Sequence, residues 1–224
     1  MKKQIKDHAK IKTLLRPCPI CGSGKGEVLH TQKFLMPQQY YSLPSAYDVV
    51  ACVKCGFTYA DTDASQQDYD RYYQLNSIYE DEKTGRCSEH SEYNRKRIAE
   101  IVRDVMRTCP DKTAKIIEIG CAGGNILKAL KSEGYTDLTG VEPSAKCVAH
   151  ILSCGITGVQ GTVSAASRLL GGKKFDYVIL SHVAEHIYDL RETLYSCADL
   201  MDEGAMLYVE VPDAARYTEF YVDP

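Results

Sequence analysis

No stretch of this chain has the roughly 18 consecutive apolar residues that a membrane-crossing helix requires. Its basic beginning, MKKQIKDHAKIKTLLRP, lacks the apolar central segment of a secretory signal. Charge of one sign is also missing. Against 30 Asp and Glu stand 27 Lys and Arg, a net charge of -3, which leaves no global field for nucleic acid or for an anionic membrane surface. Neither an internal repeat nor a low-complexity tract occurs, which excludes solenoid and fibrous architectures. These absences lead to the expectation of a cytoplasmic, globular protein. At 224 residues and 44% hydrophobic content, the chain can build one good core and a small satellite module, but not two full-sized domains.

Cysteine, by contrast, is plentiful, with ten in the chain. A reducing cytosol disfavours disulfides, so metal binding or simple burial remains, and spacing decides between them. Cys18-Pro19-Ile20-Cys21-Gly22 and Cys52-Val53-Lys54-Cys55-Gly56 form two CxxCG knuckles. Each turns two thiolates toward one ion, and together Cys18, Cys21, Cys52 and Cys55 supply the four sulfurs of a closed, structural Zn2+ site. With every position filled by sulfur, no site is left open for catalysis, so the metal would hold a module together. A redox pair is the alternative, but the knuckles lie outside any β-α-β pattern. Cys87, Cys109, Cys121, Cys147, Cys154 and Cys197 read as reduced packing residues.

Four stretches follow from composition: a basic lead at 1–16, read as a solvated tail or short helix; a zinc-binding module at 17–60; a Tyr-rich connector and helix at 61–112; and an α/β core at 113–224. Tyr93, Ile98, Ile101, Val102, Val105 and Met106 recur at helical spacing and predict a helix from Ser91 to about Thr108, stopped by Cys109-Pro110-Asp111. From Lys115 onward, strands rich in Ile, Val and Leu (KIIEIG, DLTGVEP, ITGVQG, FDYVILSH, AMLYVEVP) alternate with amphipathic helices (GNILKALKSEG, SAKCVAHILSCG, LRETLYSCADLM). Such alternation predicts parallel β-α-β units with right-handed crossovers, a doubly wound and mostly parallel sheet.

The first of these strands runs through Glu118 and Ile119 into Gly120-Cys121-Ala122-Gly123-Gly124-Asn125. Glycines there let backbone approach a ligand at the carboxyl end of a strand, where open α/β sheets bind. The GxGxxG dinucleotide spacing fails, because Ala122 and Asn125 stand at its second and third glycines. The second strand ends in Glu142-Pro143-Ser144, with Glu142 positioned to accept hydrogen bonds from ribose hydroxyls. That carboxylate indicates an adenosine-bearing ligand without separating one such ligand from another.

The run EIGCAGGNIL…GVEPS…FDYVILSHVAEHI…AMLYVEVPD resembles the class I S-adenosylmethionine-dependent methyltransferase core, of Rossmann-like fold. With the cysteine quartet ahead of it, residues 17–217 resemble the zinc-binding sugar C-methyltransferase type. The resemblance implies that Glu118, Gly120, Ala122 and Gly124, with Cys121 in the same loop, line the methionine portion of S-adenosyl-L-methionine. Glu142 would hold the ribose, and Pro143 and Ser144 would shape the adenine side. Thr162 stands where such enzymes often carry an acidic residue facing the adenine amino group, a departure from the family pattern. Ser181, His182 and Val183 would sit beside the sulfonium and the acceptor.

Methyl transfer is an in-line displacement on an activated donor, so the protein must align the acceptor, exclude water and remove a proton where needed. His182, Glu185 and His186 are the catalytic candidates, against a purely structural or turn-orienting role for each. Tyr73 and Tyr79 in the aromatic connector read either as a packed helix or as a lid over the cofactor. The family fold adds a helix and an antiparallel strand pair after AMLYVEVP, so a chain stopping at Pro224 is expected to be a C-terminally truncated core with an incomplete acceptor pocket. The implied acceptor is a small molecule such as a nucleotide-linked sugar. RNA or protein methylation with the zinc module as reader is the alternative, as is a non-catalytic module that keeps the fold. Salt-sensitive RNA binding would favour the former, and cofactor binding speaks against the latter.

Overall fold

The computed structural model describes residues 10–33, 43–75 and 92–212. These divide into two compact units, one up to Tyr69 and one of Asp70–Val211.

The first unit is an antiparallel sheet of four strands in chain order: β1 (Ile11–Thr13), β2 (Lys25–Lys33), β3 (Ala46–Cys52) and β4 (Thr58–Asp61). Leu14, Cys18, Val50, Cys52 and Tyr59 form its small core. The basic lead, expected as a tail or short helix, instead contributes β1, with Ile11 opposite Glu27. Charge explains the pairing: Lys12 reaches Asp48 at 2.7 Å and the fully buried Asp61 at 2.9 Å. The other Asp61 oxygen accepts the Leu15 and Arg16 amides at 2.8 and 3.3 Å. A buried carboxylate is tolerable only with such partners. Helix α1 (Gln66–Leu75) follows.

The boundary between the units falls within α1, so the second unit takes in the end of that helix and continues, among the described residues, with helix α2 (Glu92–Thr108). Strand β5 (Lys115–Ile119) lies at the centre of a parallel sheet, followed by α3 (Asn125–Ser132), β6 (Asp137–Glu142) and α4 (Ala145–Ser153). Then come β7 (Thr157–Gln160), α5 (Val163–Leu169), β8 (Phe175–Ser181), α6 (Leu190–Ala198) and β9 (Met201–Glu210). The strand order is β7-β6-β5-β8-β9, all pairs parallel. This is the doubly wound α/β architecture expected from the alternating pattern.

Strand β5 shows why. Ile116 packs with α2, α3 and α4 on one face, while Ile117 and Ile119 pack with α5 and α6 on the other. Burial of each such side chain is worth about 1.5–3 kcal/mol, so a strand apolar on both faces is stable only between two helical layers. Helix α2, expected in a connector, belongs to this core through Ile101, Val102 and Val105. Tyr93 and Met106, which share its helical spacing, are instead exposed. Among the described residues, no helix is long and apolar enough to cross a membrane.

Candidate functional site

The connection from β5 to α3 is built from left-handed backbone: Gly120 at φ 68°, Ala122 at 46° and Gly124 at 68°. A side chain at Gly120 would put its Cβ 2.6 Å from Val183 Cγ2, and one at Gly124 would stand 2.4 Å from Ile151 Cγ2. Both glycines are therefore demanded twice, by torsion and by close approach. Ala122 bears the strain without glycine's freedom, and a carboxylate holds it there. Glu142, at the end of β6, accepts the Ala122 amide at 2.9 Å and the Ser144 amide at 3.0 Å, one on each oxygen. Burial raises its pKa, partly offset by those two N–H groups. Each oxygen keeps a lone pair for a further donor, such as a ligand hydroxyl.

Glu118 lies on the neighbouring strand. It is 4% exposed, and its Oε2 has no hydrogen-bond partner among the described residues. Burial pushes its pKa up to about 8, against the pull of the Arg97 guanidinium and with a further push from Glu142. The Leu127 backbone N–H also holds this carboxyl down, so one oxygen is partnered and Oε2 is not. A buried carboxyl oxygen without a partner near the carboxyl end of the central strand fits a cationic or hydrogen-bond-donating ligand group. Cys121 in the same loop is buried, and burial drives its thiol well above the ordinary range, which favours the protonated thiol of a packing residue. Ser144 caps α4 by accepting the Cys147 amide at 3.3 Å, and the Pro143 carbonyl accepts from Gln160 Nε2 at 3.2 Å. Thr162 opens α5, its hydroxyl 3.0 Å from Ser164 Oγ.

At the end of β8 stands a second group. His182 adopts φ 54°, its amide donating to the Glu210 carbonyl at 2.9 Å. Its Nδ1 lies 3.2 Å from Glu185 Oε1, and its Nε2 lies 3.8 Å from Glu210 Oε1. His186 Nε2 is 3.8 Å from the same Glu185 oxygen, both residues lying in a short 3-10 turn, Ala184–His186. The arrangement places one imidazole between two carboxylates, the nearer of them, Glu185, facing Nδ1.

Two residues of this site were not legible from motifs. Arg97 Nη1 donates to Ser181 Oγ at 2.6 Å and to Glu210 Oε2 at 2.7 Å. A signal did exist: Arg97, Ile101 and Val105 share one helix face, so a cation sits on the buried stripe. Glu210 ends its strand at the same carboxyl-terminal end of the parallel sheet as Glu118 and Glu142. Of the lid candidates, Tyr79 lies outside the described residues, and Tyr73 falls within α1.

In the first unit the four cysteines converge, their Sγ atoms all within 4.8 Å of one another. Cys18 faces Cys55 at 3.7 Å and Cys21 faces Cys52 at 3.5 Å. A tetrahedron of sulfurs about 2.3 Å from a zinc ion has edges of about 3.8 Å, so the quartet fits that ion. Gly22 and Gly56 close the two turns by donating to the Cys18 and Cys52 carbonyls at 2.9 and 2.8 Å.

A family model described as a methyltransferase domain matches residues 92–220, more than half of the chain. The ubiquinone biosynthesis O-methyltransferase of Rhizobium leguminosarum bv. trifolii is 28% identical over 111 residues, covering 48% of this chain and 44% of that protein. Its counterpart in Sinorhizobium fredii is 26% identical over 162 residues, covering 67% and 64%. The chain thus spans about half the length of the curated relatives it matches. Among solved structures, the N-methyltransferase NodS from Bradyrhizobium japonicum WM9, in complex with S-adenosyl-L-homocysteine, aligns with a TM-score of 0.50. The two are 14% identical over 63% of this chain and 70% of that one, a likeness of fold alone.

Proposed function

The chain belongs to the methyltransferase-domain family, and from that membership we propose that it transfers a methyl group from S-adenosyl-L-methionine to a hydroxyl group of a small molecule. One observation carries the cofactor half of this reading: two buried carboxyls, Glu118 and Glu142, end adjacent central strands around a left-handed glycine turn. Bound there, the cofactor supplies an electrophilic methyl group. Glu142 accepts the ribose hydroxyls with its remaining lone pairs. Glu118 receives the ammonium of the methionyl end, along the backbone of Gly120, Cys121, Ala122 and Gly124. Arg97 offers guanidinium donors to the adjoining carboxylate. Pro143, Ser144 and Thr162 border the adenine side, and Ser181 borders the sulfonium.

The acceptor half rests on His182. Glu185 at 3.2 Å favours the proton on Nδ1, which leaves Nε2 to take a proton from an acceptor hydroxyl. His186 shares Glu185 and steadies that turn. Relatives named for ubiquinone biosynthesis O-methylation support an oxygen acceptor. The cysteine quartet favours a second reading of the acceptor, a nucleotide-linked sugar methylated on carbon or oxygen, in keeping with the zinc-binding sugar C-methyltransferase type. In both, Cys18, Cys21, Cys52 and Cys55 hold a structural zinc ion.

Calorimetric titration of the chain with S-adenosyl-L-homocysteine, beside a Glu142→Ala variant, tests the cofactor assignment. Binding that the variant weakens about a hundredfold is expected, because both a ligand contact and the anchor of Ala122 are lost. Equal binding by the two proteins would refute the ribose role of Glu142. No binding by the wild-type chain would refute the cofactor reading.

A further inference from the structure

Glu210 makes contacts in three directions. Its Oε2 accepts from Arg97 Nη1 at 2.7 Å and from Ser181 Oγ at 2.6 Å, while the same Arg97 nitrogen donates to Ser181 Oγ at 2.6 Å. Its Oε1 stands 3.8 Å from His182 Nε2. Its carbonyl accepts the His182 amide at 2.9 Å. The first three contacts close a triangle that grips a single nitrogen of Arg97.

That grip has a geometric consequence. Guanidinium is planar and carries five N–H groups, so holding Nη1 fixes the plane and leaves the Nε and Nη2 donors directed but unspent among the described residues. Ser181, to which Arg97 is bonded, ends β8, and β8 pairs with β5 with Ile179 opposite Glu118, so the guanidinium and the unpartnered Glu118 Oε2 share one neighbourhood, in keeping with the pull of Arg97 against the rise of that carboxyl. A zwitterionic amino-acid group needs a cation and a carboxyl side by side, and this pair supplies both. Arginine carries the larger rotamer freedom and gains the most from being held.

We propose that Glu210 is a positioning residue for the cofactor: it aims Arg97 at the carboxylate of the methionyl end, acting through Arg97 without touching the ligand. The inference rests on the S-adenosyl-L-methionine reading above. A purely structural alternative would have Glu210 simply pin α2 to the end of β9, in which case every ligand of the site would feel its loss equally.

Two ligands separate these cases. S-adenosyl-L-homocysteine carries the amino-acid group, whereas 5′-methylthioadenosine keeps the adenosine and the thioether but lacks it. Titrating wild type, Glu210→Gln and Glu210→Ala with each gives the selectivity directly. The alanine variant is expected to lose about tenfold or more in affinity for S-adenosyl-L-homocysteine, with 5′-methylthioadenosine within about twofold of wild type. The glutamine variant, which keeps an acceptor for Arg97 but not the charge, is expected to fall between. Retained 5′-methylthioadenosine binding also reports that each variant is folded. Equal losses for both ligands, or unchanged or tighter S-adenosyl-L-homocysteine binding, would overturn the positioning role while the cofactor reading stands. Failure of the wild-type chain to bind either ligand would overturn that reading and this role with it.

Discussion

Glu118→Gln isolates the energetic cost of the buried carboxyl. In the folded chain this group titrates near about 8, against an ordinary value of 4.5, because burial penalises its charged form. Below the ordinary value, folded and unfolded chains are both protonated there and no penalty exists. As pH rises, the unfolded chain releases its proton first, so stability falls across the window and the full penalty of this one group is in place above the folded value. Raising a folded-state pKa by one costs about 1.4 kcal/mol once the group ionises, which gives a loss on the order of 4 kcal/mol between pH 4.5 and 8. Glutamine has nearly the same shape and no charge to form, so the variant should escape this loss. Urea unfolding at pH 5, 6.5 and 8 measures it, followed by far-UV circular dichroism because the chain contains no tryptophan. The stability of Glu118→Gln relative to wild type should climb through that series. A difference that stays constant from pH 5 to 8 would refute the burial argument.

Gly124→Ala forces an L-residue into φ 68° and a Cβ against Ile151, and should cost about 2–4 kcal/mol, or about 5–15 °C in Tm. Gly134→Ala is the control, since φ there is 93° but nothing lies within 4 Å, and a loss of about 1 kcal/mol is expected. Equal Tm losses would remove the case for close approach at Gly124. Protein purified with zinc present should release about one equivalent of metal to a chromogenic chelator once its thiols are blocked, and Cys18→Ser should reduce that content. Metal-free protein with unchanged β-sheet dichroism would refute a structural zinc.

Sequence patterning located the elements whose residues are buried in runs. Strand β5 is apolar on both faces, and α3 buries Ile126, Leu127 and Leu130, so each declares itself by period. Helix α5 left no such mark, since only Ala166 of its seven residues is buried. The first residues of the described chain gave no strand signal because a three-residue strand has no period to detect. Its place depends on Lys12 meeting Asp48 and Asp61, which are far away in sequence. The same reasoning covers the site. Glu118, Glu142 and the glycine loop were legible because strand ends and turns are local features. Arg97 and Glu210 were not, because each is a single charged side chain whose meaning comes from its distant partner. Tyr93 and Met106 erred the other way: helical spacing selected them, but the buried stripe of α2 is narrower than the spacing implied.

Arg97 and Glu210 are separated by 113 residues, and that distance sets a timetable for the chain as it is made. At about 5–20 residues per second, a ribosome takes about 6–20 s between adding the first and the second. Throughout that interval the guanidinium has no Glu210 to hold it, and His182, once added, still lacks the Glu210 carbonyl that accepts its amide. The first unit keeps a different clock. Its fourth strand ends at Asp61, before β5 begins at Lys115, so all four cysteines are synthesised before the parallel sheet has begun. The cysteine quartet is therefore complete early in synthesis, and the residues that assemble the site come together late. A ribosome stalled between Ser181 and Glu210 would carry a metal-ready first unit joined to a site still lacking its last anchor.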